Sequence, residues 1–590
     1  MSHESIIDPV CRSQLGLTNG VRIPKRESER VSLTPPEFFA SDSALLAAAV
    51  RCALPAVAVG VALLLPYLAN AFTVDDVTFL LQAQHLLTDP LHPTAFDMVF
   101  HGRLIRVSSE LVTGPVMAFL LVPAVWLGGA EWAAHGVQLA LVLVSLVATA
   151  ALALRVGCDR RQATLASLLV ITSPAVLGMA TTAMADVPAM AFTILGMERL
   201  GAWRSSRSLI AGVASALFLA LGTLARPHVL LAVGCGALWL VDKRWCTAAK
   251  RPEWRSLLLP VLPIAIALLL IGVVVFVTRD PASGTTIAGA TAHRTHLGLV
   301  AFNLSSFSLH WATTFPLVAL WTVARGRRLF AFRRVLIALP SGLLLGAAGG
   351  YLARADWWRG IPALVLVAIS TVVLADIVGS ALERRDHTQL VLGLWLLTGA
   401  ATAFYVQLPA KVLLPAAPAM AILVAREPVW LSASALRRTV FWVIASSGVT
   451  LGLLIIDASR ALAEIGRIGG RTVAVHVARG ERVWLDGAWG FQWYAMRAGA
   501  RPLSESPPYP QPGDVVVAST QARLLRKSYR NLGFVSREVF ARPGGRVASE
   551  GAGFFTNGAG AWPWVWGRGE LGRVEVWRIE PPRSPQGAEP

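Results

Sequence analysis

The stretch LLAAAVRCALPAVAVGVALLLPYLA, Leu45–Ala69, carries one charge, Arg51, and runs directly into Asn70-Ala71-Phe72-Thr73-Val74-Asp75-Asp76. A helix of about twenty mostly apolar residues crosses a bilayer. Leu45–Ala69 therefore reads as a membrane span, with Arg51 snorkelling toward the headgroups near one end. Two adjacent carboxylates then stand where this span meets water. Capping of a following helix accounts for one acid, not two, and Val77–Leu87 does read as an amphipathic helix with Asp76 at its start. The pair asks for a chemical reason, as do His85, His92, Asp97, His101 and Arg103, which follow before the next apolar run.

Composition extends this reading to the whole chain. Of 590 residues 55% are hydrophobic and only 15% charged, with a mean hydropathy of +0.57. A soluble protein would carry about a quarter charged residues. The net charge of +18 and pI of 10.8 would suggest nucleic acid in a soluble chain. Here the basic residues fall in short connections between apolar runs, which is the pattern that orients membrane helices. No nucleic-acid partner is expected; the membrane lipid is.

Residues 1–43 are polar and basic, with no apolar signal core, and are expected to remain in the cytoplasm. After Leu45–Ala69, apolar segments recur at Leu111–Leu127, Ala133–Leu154, Ala163–Met179, Val187–Leu200, Leu209–Leu224, Val229–Val241 and Leu257–Val277. Phe307–Ala324, Val335–Tyr351, Ile361–Val378, Leu390–Val406, Val412–Ala425 and Thr439–Ile456 complete the series. Every second connection is basic: Arg155–Arg161, Arg199–Arg207, Lys243–Arg255, Arg325–Arg334, Arg384–Arg385 and Arg426–Arg438. The alternation closes if Leu111–Leu127, broken by Pro115 and Pro123, is re-entrant. The fold class expected is an α-helical polytopic membrane protein with about 13 transmembrane helices over residues 44–456, amino terminus inside. Residues 71–110 form its first outer loop, and residues 457–590 a small outer α/β domain.

This topology places further charges on the outer side with Asp75 and Asp76. Asp186 lies in a tight outward turn, Ala183-Met184-Ala185-Asp186-Val187-Pro188; Arg226 and His228 lie in Arg226-Pro227-His228; Lys411 follows Gln407-Leu408-Pro409-Ala410. Outward connections are otherwise poor in basic residues. Charges at membrane depth are costly and usually functional, although Arg226 and Lys411 could also serve as interface anchors.

In the last 130 or so residues, Val483–Asp486, Gly513–Ala518 and Arg573–Trp577 read as short strands between Pro- and Gly-rich turns. Trp484, Trp489, Trp493, Trp562, Trp564 and Trp566 read as core or membrane-surface residues first and as sugar-stacking residues second. All five cysteines fall in cytoplasmic or membrane positions, so no disulfide is expected outside. No metal site of defined spacing occurs. His85, His92 and His101 beside Asp75, Asp76 and Asp97 leave a divalent cation conceivable without specifying one.

In its ordered motifs the chain resembles the GT-C superfamily of lipid-linked glycosyltransferases, in the bacterial branch related to protein O-mannosyltransferase and aminoarabinose transferase. Val74–Ala83 is similar to that branch's Asp-Glu loop entering an amphipathic helix, with Asp76 where Glu is common. Thr113-Gly114-Pro115-Val116, Met184–Pro188, Ala225-Arg226-Pro227 and Lys411–Pro418 match further elements in order, and Gly513–Val517 is similar to the outer domain of some members. The resemblance implies an inverting transferase that moves a sugar from a polyprenyl-phosphate donor to a cell-envelope acceptor outside the cell membrane, with no cofactor. In that chemistry Asp75 is the general base. Asp76 and Asp186 orient hydroxyls, and Arg226 and Lys411 hold the departing phosphate, with Arg103 and His228 as helpers. The alternative is a transporter or flippase of lipid-linked sugars. That reading would place charges at the midplane of repeated halves, and no internal repeat is visible. A membrane-anchored sensor would leave most of the spans unexplained.

Overall fold

The computed structural model describes residues 41–100, 102–110, 114–240, 254–281, 297–330, 332–352, 357–405, 407–431, 434–520, 524–525, 531–548, 554–557 and 560–581. Expectations for the tail up to residue 40, His101, Thr113 and the basic residues 243–251 lie outside these. The chain is mostly helical. Among the described residues, four helices are long and apolar enough to cross a membrane: Asp42–Tyr67, Glu131–Arg155, Gly360–Arg384 and Ala435–Ala478. A fifth results if the bent pair Arg160–Ile171 and Pro174–Ala180 is one span.

The first expected span forms α1 (Asp42–Leu64), capped by the Ser41 side chain on Ala44 N–H. Several other spans are broken where the sequence reading ran them together. Ala163–Met179 bends by 58° at Thr172-Ser173, because Pro174 starts a new helix without a backbone N–H to continue the old one. Phe307–Ala324 divides into Leu297–Thr313 and Leu317–Arg325 at Pro316 for the same reason. Leu111–Leu127 yields only the helix Val116–Trp126, too short to cross. Val412–Ala425 begins as a 3-10 turn, Ala410–Ala416, and becomes α-helical at Ala417.

The basic connections gather at one end of the bundle. Arg155 binds Glu198 at 2.6 Å and also Asp42; Arg199 binds Asp42 at 2.9 Å; Gln162 Nε2 donates to Arg426 O at 3.3 Å. These contacts join the start of α1 to the end of Glu131–Arg155 and the second half of Asp186–Ser206, and the start of Arg160–Ile171 to the end of Ala417–Ala425.

The boundary expected at Asp457 falls inside a helix. Ala435–Ala478 runs unbroken for 44 residues. At ~1.5 Å per residue that is about 66 Å, roughly twice the hydrocarbon thickness of a bilayer. Its sequence changes at Asp457 from apolar to amphipathic while the helix continues to Ala478. The carboxy-terminal α/β domain follows, and its five-stranded sheet has the order β4-β3-β5-β7-β6. β3 (Val483–Asp486) pairs in parallel with β4 (Arg501–Pro502) and β5 (Val515–Ser519); β7 (Val565–Ile579) runs antiparallel to β5 and β6 (Leu532–Ala548). The three expected strands are all present within it.

Gly466, Gly469 and Gly470 on the long helix seat the short helix Gly490–Arg497. A Cβ on Gly469 would fall 2.2 Å from the Phe491 ring, and one on Gly470 2.8 Å from Tyr494 Cβ. Trp484 and Trp493 are core residues, while Trp566 is exposed.

Candidate active site

The two acids at the end of the first span have separate fates. Asp75 occupies the N-cap position of α2 (Asp76–Leu86), yet its side chain makes no cap bond. It reaches instead to Lys411, whose Nζ donates to Asp75 Oδ2 at 2.8 Å. The Asp75 side chain keeps 37% of its exposure, whereas that of Lys411 keeps 6%. This pair has one face in water and one in protein.

Asp76 is wholly buried. Its Oδ2 accepts from Thr73 N–H and its Oδ1 from Ala183 N–H, both at 2.8 Å. Burial pushes its carboxyl up to about 7 against these two bonds, with the Asp75 charge adding to the rise. The expected role of Asp76 in orienting substrate hydroxyls gives way to a positional one, because both oxygens face the protein and join the Phe72–Asp76 loop to the Ala183–Asp186 turn. Asp76→Asn would turn an NH₂ toward one of those N–H groups. Leaving a buried donor unpaired costs about 1–3 kcal/mol, so this variant is expected to show a lowered thermal midpoint in detergent. An unchanged midpoint would refute the strut.

The Ala183–Asp186 turn carries the second ion pair. Arg226 Nη2 donates to Asp186 Oδ2 at 2.6 Å; Asp186 is fully buried and Arg226 mostly so. Gln138 Nε2 holds the turn through Met184 O at 2.8 Å, and Lys411 Nζ lies 3.7 Å from Met184 Sδ. Arg226 ends the helix Leu209–Ala225 with extended backbone, forced by Pro227 behind it. Close approach of the segment after Thr113 needs a glycine here, since a Cβ on Gly114 would fall 1.4 Å from Leu224 O.

His228 packs within hydrogen-bond reach of the Val412 backbone, next to Lys411, and within electrostatic reach of Arg226 and Asp186. The described residues thus bring together Asp75, Asp76, Asp186, Arg226, His228 and Lys411 from four connections. Three buried polar atoms in this group have no hydrogen-bond partner: Asp186 Oδ1, Arg226 Nε and His228 Nε2. Buried polar atoms are normally satisfied, and these three lie within one cluster of charged side chains.

Arg103 is not brought in. It is exposed on β2 (Arg103–Arg106), which pairs with β1 (Asp97–Phe100), and makes no ion pair with the cluster. Its neighbour Arg106 is the engaged cation of that hairpin, bound to Asp280 at 2.7 Å and to Asp97 at 3.3 Å. Of the histidines in this loop, His85 and His92 lie within the described residues. His92 binds Asp89, His85 packs on Phe96, and among the described residues no group of three His, Cys, Asp or Glu is placed to hold a metal.

Tyr405 was not singled out from sequence. It lies within electrostatic reach of both Arg226 and Asp75. A polar aromatic residue just before the Gln407–Lys411 outward turn was the available signal.

No family model and no curated protein sequence matches the chain. Solved structures with a similar chain path include an oligosaccharyltransferase of Archaeoglobus fulgidus in the apo form, with 10% identity and a TM-score of 0.42 over 77% of this chain. They also include ArnT of Cupriavidus metallidurans bound to undecaprenyl phosphate, with 14% identity and a TM-score of 0.40 over 90% of this chain and 99% of that one. Both are members of the GT-C superfamily that the sequence motifs resemble. The chain spans 64% of the length of the archaeal enzyme.

Proposed function

We propose that this chain is an inverting glycosyltransferase, moving a hexose or pentose from a polyprenyl-phosphate donor to a hydroxyl of a cell-envelope acceptor. The membrane is the plasma (inner) membrane, crossed about 13 times, with the site and the carboxy-terminal domain on the outer face and the amino terminus in the cytoplasm. The observation that carries the reading is the half-exposed Asp75 paired with the buried Lys411 beside a second pair, Asp186–Arg226, that retains unpartnered polar atoms.

In the reaction, Asp75 takes the proton of the acceptor hydroxyl while that oxygen attacks the anomeric carbon from the face opposite the phosphate. The bond from the anomeric carbon to the phosphate oxygen breaks, and polyprenyl phosphate leaves with the electron pair. Protonation of Asp75 removes the counter-charge of Lys411 at the moment negative charge grows on the phosphate. Lys411 therefore stabilises the transition state more than the ground state, which is the condition for accelerating chemistry. Arg226 Nε supplies a second donor, and Asp186 Oδ1 and His228 Nε2 are placed for sugar hydroxyls. No cofactor enters, because a sugar phosphate already carries its leaving group.

The test is the purified chain reconstituted in vesicles with labelled polyprenyl-phosphate sugars and an envelope acceptor extract. Acceptor-dependent release of polyprenyl phosphate is the expected result. Movement of intact donor between leaflets, with no release across a panel of donors and acceptors, would reject the transferase in favour of a flippase.

A further inference from the structure

The backbone on either side of the Asp75–Lys411 pair is held from the carboxy-terminal domain, and at the same offset. Phe72, three residues before Asp75, donates its N–H to Tyr494 Oη at 2.9 Å. Leu408, three residues before Lys411, donates its N–H to Asn557 Oδ1 at 2.9 Å.

Each hold is itself anchored. Tyr494 O–H donates to Glu131 Oε1 at 2.9 Å, and Arg467 donates both to Glu131 at 3.3 Å and to Ala69 O at 2.5 Å. The Phe72 ring is fully buried, edge-on to Trp493 and stacked with Tyr494. The start of the helix Gly490–Arg497 lies so close that a Cβ on Gly490 would fall 1.9 Å from Phe72 O. On the other side, Asn557 is 1% exposed and donates to Asn303 Oδ1 at 2.8 Å and to Ser306 Oγ at 3.2 Å. Thr556 adds a bond to Gln407. Between Phe72 and Asp75, Val74 has a φ of +38°, a conformation that β-branched residues rarely adopt. Such strain persists only where the surroundings over-determine the backbone.

We infer that the carboxy-terminal domain aligns the Asp75–Lys411 pair through these two arms, with Tyr494 and Asn557 as positioning residues. The domain is then part of the active site's frame and not an appendage. Tyr494 belongs to a short helix whose Phe491 and Ala495 share one buried cluster with the sheet residues Val483, Leu485, Val515 and Val517, so its placement depends on the sheet being folded. The inference rests on the transferase reading for its kinetic consequence, and on geometry alone for the state of Asp75.

Two variants test it by opposite means. Tyr494→Phe deletes one hydroxyl, and Gly490→Ala keeps every bond but drives a methyl against Phe72 O. The full-length chain in lipid discs is labelled with a water-soluble carbodiimide, and the rate at Asp75 is read by peptide mass spectrometry. The Lys411 side chain covers one side of the Asp75 carboxylate and shields it from the reagent, so both variants should couple Asp75 to an added amine several-fold faster than the parent. Tyr509→Phe, altered at an exposed residue, should not. Turnover should fall by up to about a hundredfold, as for a ~1 Å misplacement, with donor KM unchanged. Unchanged labelling of Asp75 in both variants would overturn the inference. Faster labelling in a chain whose parent releases no polyprenyl phosphate from any donor would uphold the alignment and reject the transferase reading.

Discussion

Asp75→Asn should lower turnover about a hundred- to ten-thousandfold, the contribution of a general base, while the protein folds and binds donor as before. The physical ground is the contrast with Asp76. The Asp75 side chain is 37% exposed and has a flexible partner, so an amide there can still accept a bond from Lys411 Nζ. Little stability is at risk. What disappears is the ability to hold a proton, and with it the event that releases Lys411 to the departing phosphate. The measurement is single-turnover transfer under saturating donor, together with the thermal midpoint. Parent-rate transfer by Asp75→Asn would mean that Asp75 serves only to neutralise Lys411. A reciprocal result, with Asp76→Asn inactive but stable and Asp75→Asn active, would exchange the roles assigned to the two acids.

Much of this arrangement was legible before any coordinates, and the physical reason is that membranes constrain sequence strongly. Apolar length and the alternation of basic connections place Asp75, Asp186, Arg226 and Lys411 at one end of the bundle. That is where the structure brings them together. What the sequence could not tell was the division of labour within the pair at 75 and 76. Adjacent acids are indistinguishable by type, and only the approach of Ala183 N–H to one and Lys411 to the other separates them. Helix breaks were misread where a proline sits inside an apolar run, since hydropathy does not register the missing N–H. The helix runs past Asp457 to Ala478, because a change from an apolar to an amphipathic pattern does not by itself end a helix. Tyr494 and Asn557 were out of reach altogether. Tyr494 acts on Phe72 across 422 positions, and no local pattern reports a contact at that separation.

Deleting the two cations should have unlike consequences, which makes them a test of the whole site. Lys411→Met retains the bulk of the side chain and leaves Asp75 with access to water, so the stability cost is small. Loss of a fixed charge at the developing phosphate should lower turnover about a hundred- to thousandfold, the usual loss on removing one transition-state donor. Arg226→Met instead strands Asp186, which is fully buried. Breaking a buried pair by removing one partner destabilises by about 3–5 kcal/mol, so this variant should unfold early and report little about catalysis. Arg226→Met combined with Asp186→Asn removes both charges together. It should recover most of that stability, because no buried charge is left uncompensated, and yet remain impaired in transfer at saturating donor. If Arg226 were only an interface anchor, the double variant would regain activity along with its fold. The decisive comparison is therefore release of polyprenyl phosphate per folded molecule, with folded fraction taken from thermal unfolding of the same preparations. Parent-level release by both Lys411→Met and the double variant would sink the phosphate-binding role of this end of the bundle. Recovery of stability without recovery of release would keep the Asp186–Arg226 pair, with Lys411, in the transfer machinery and not among the interface anchors.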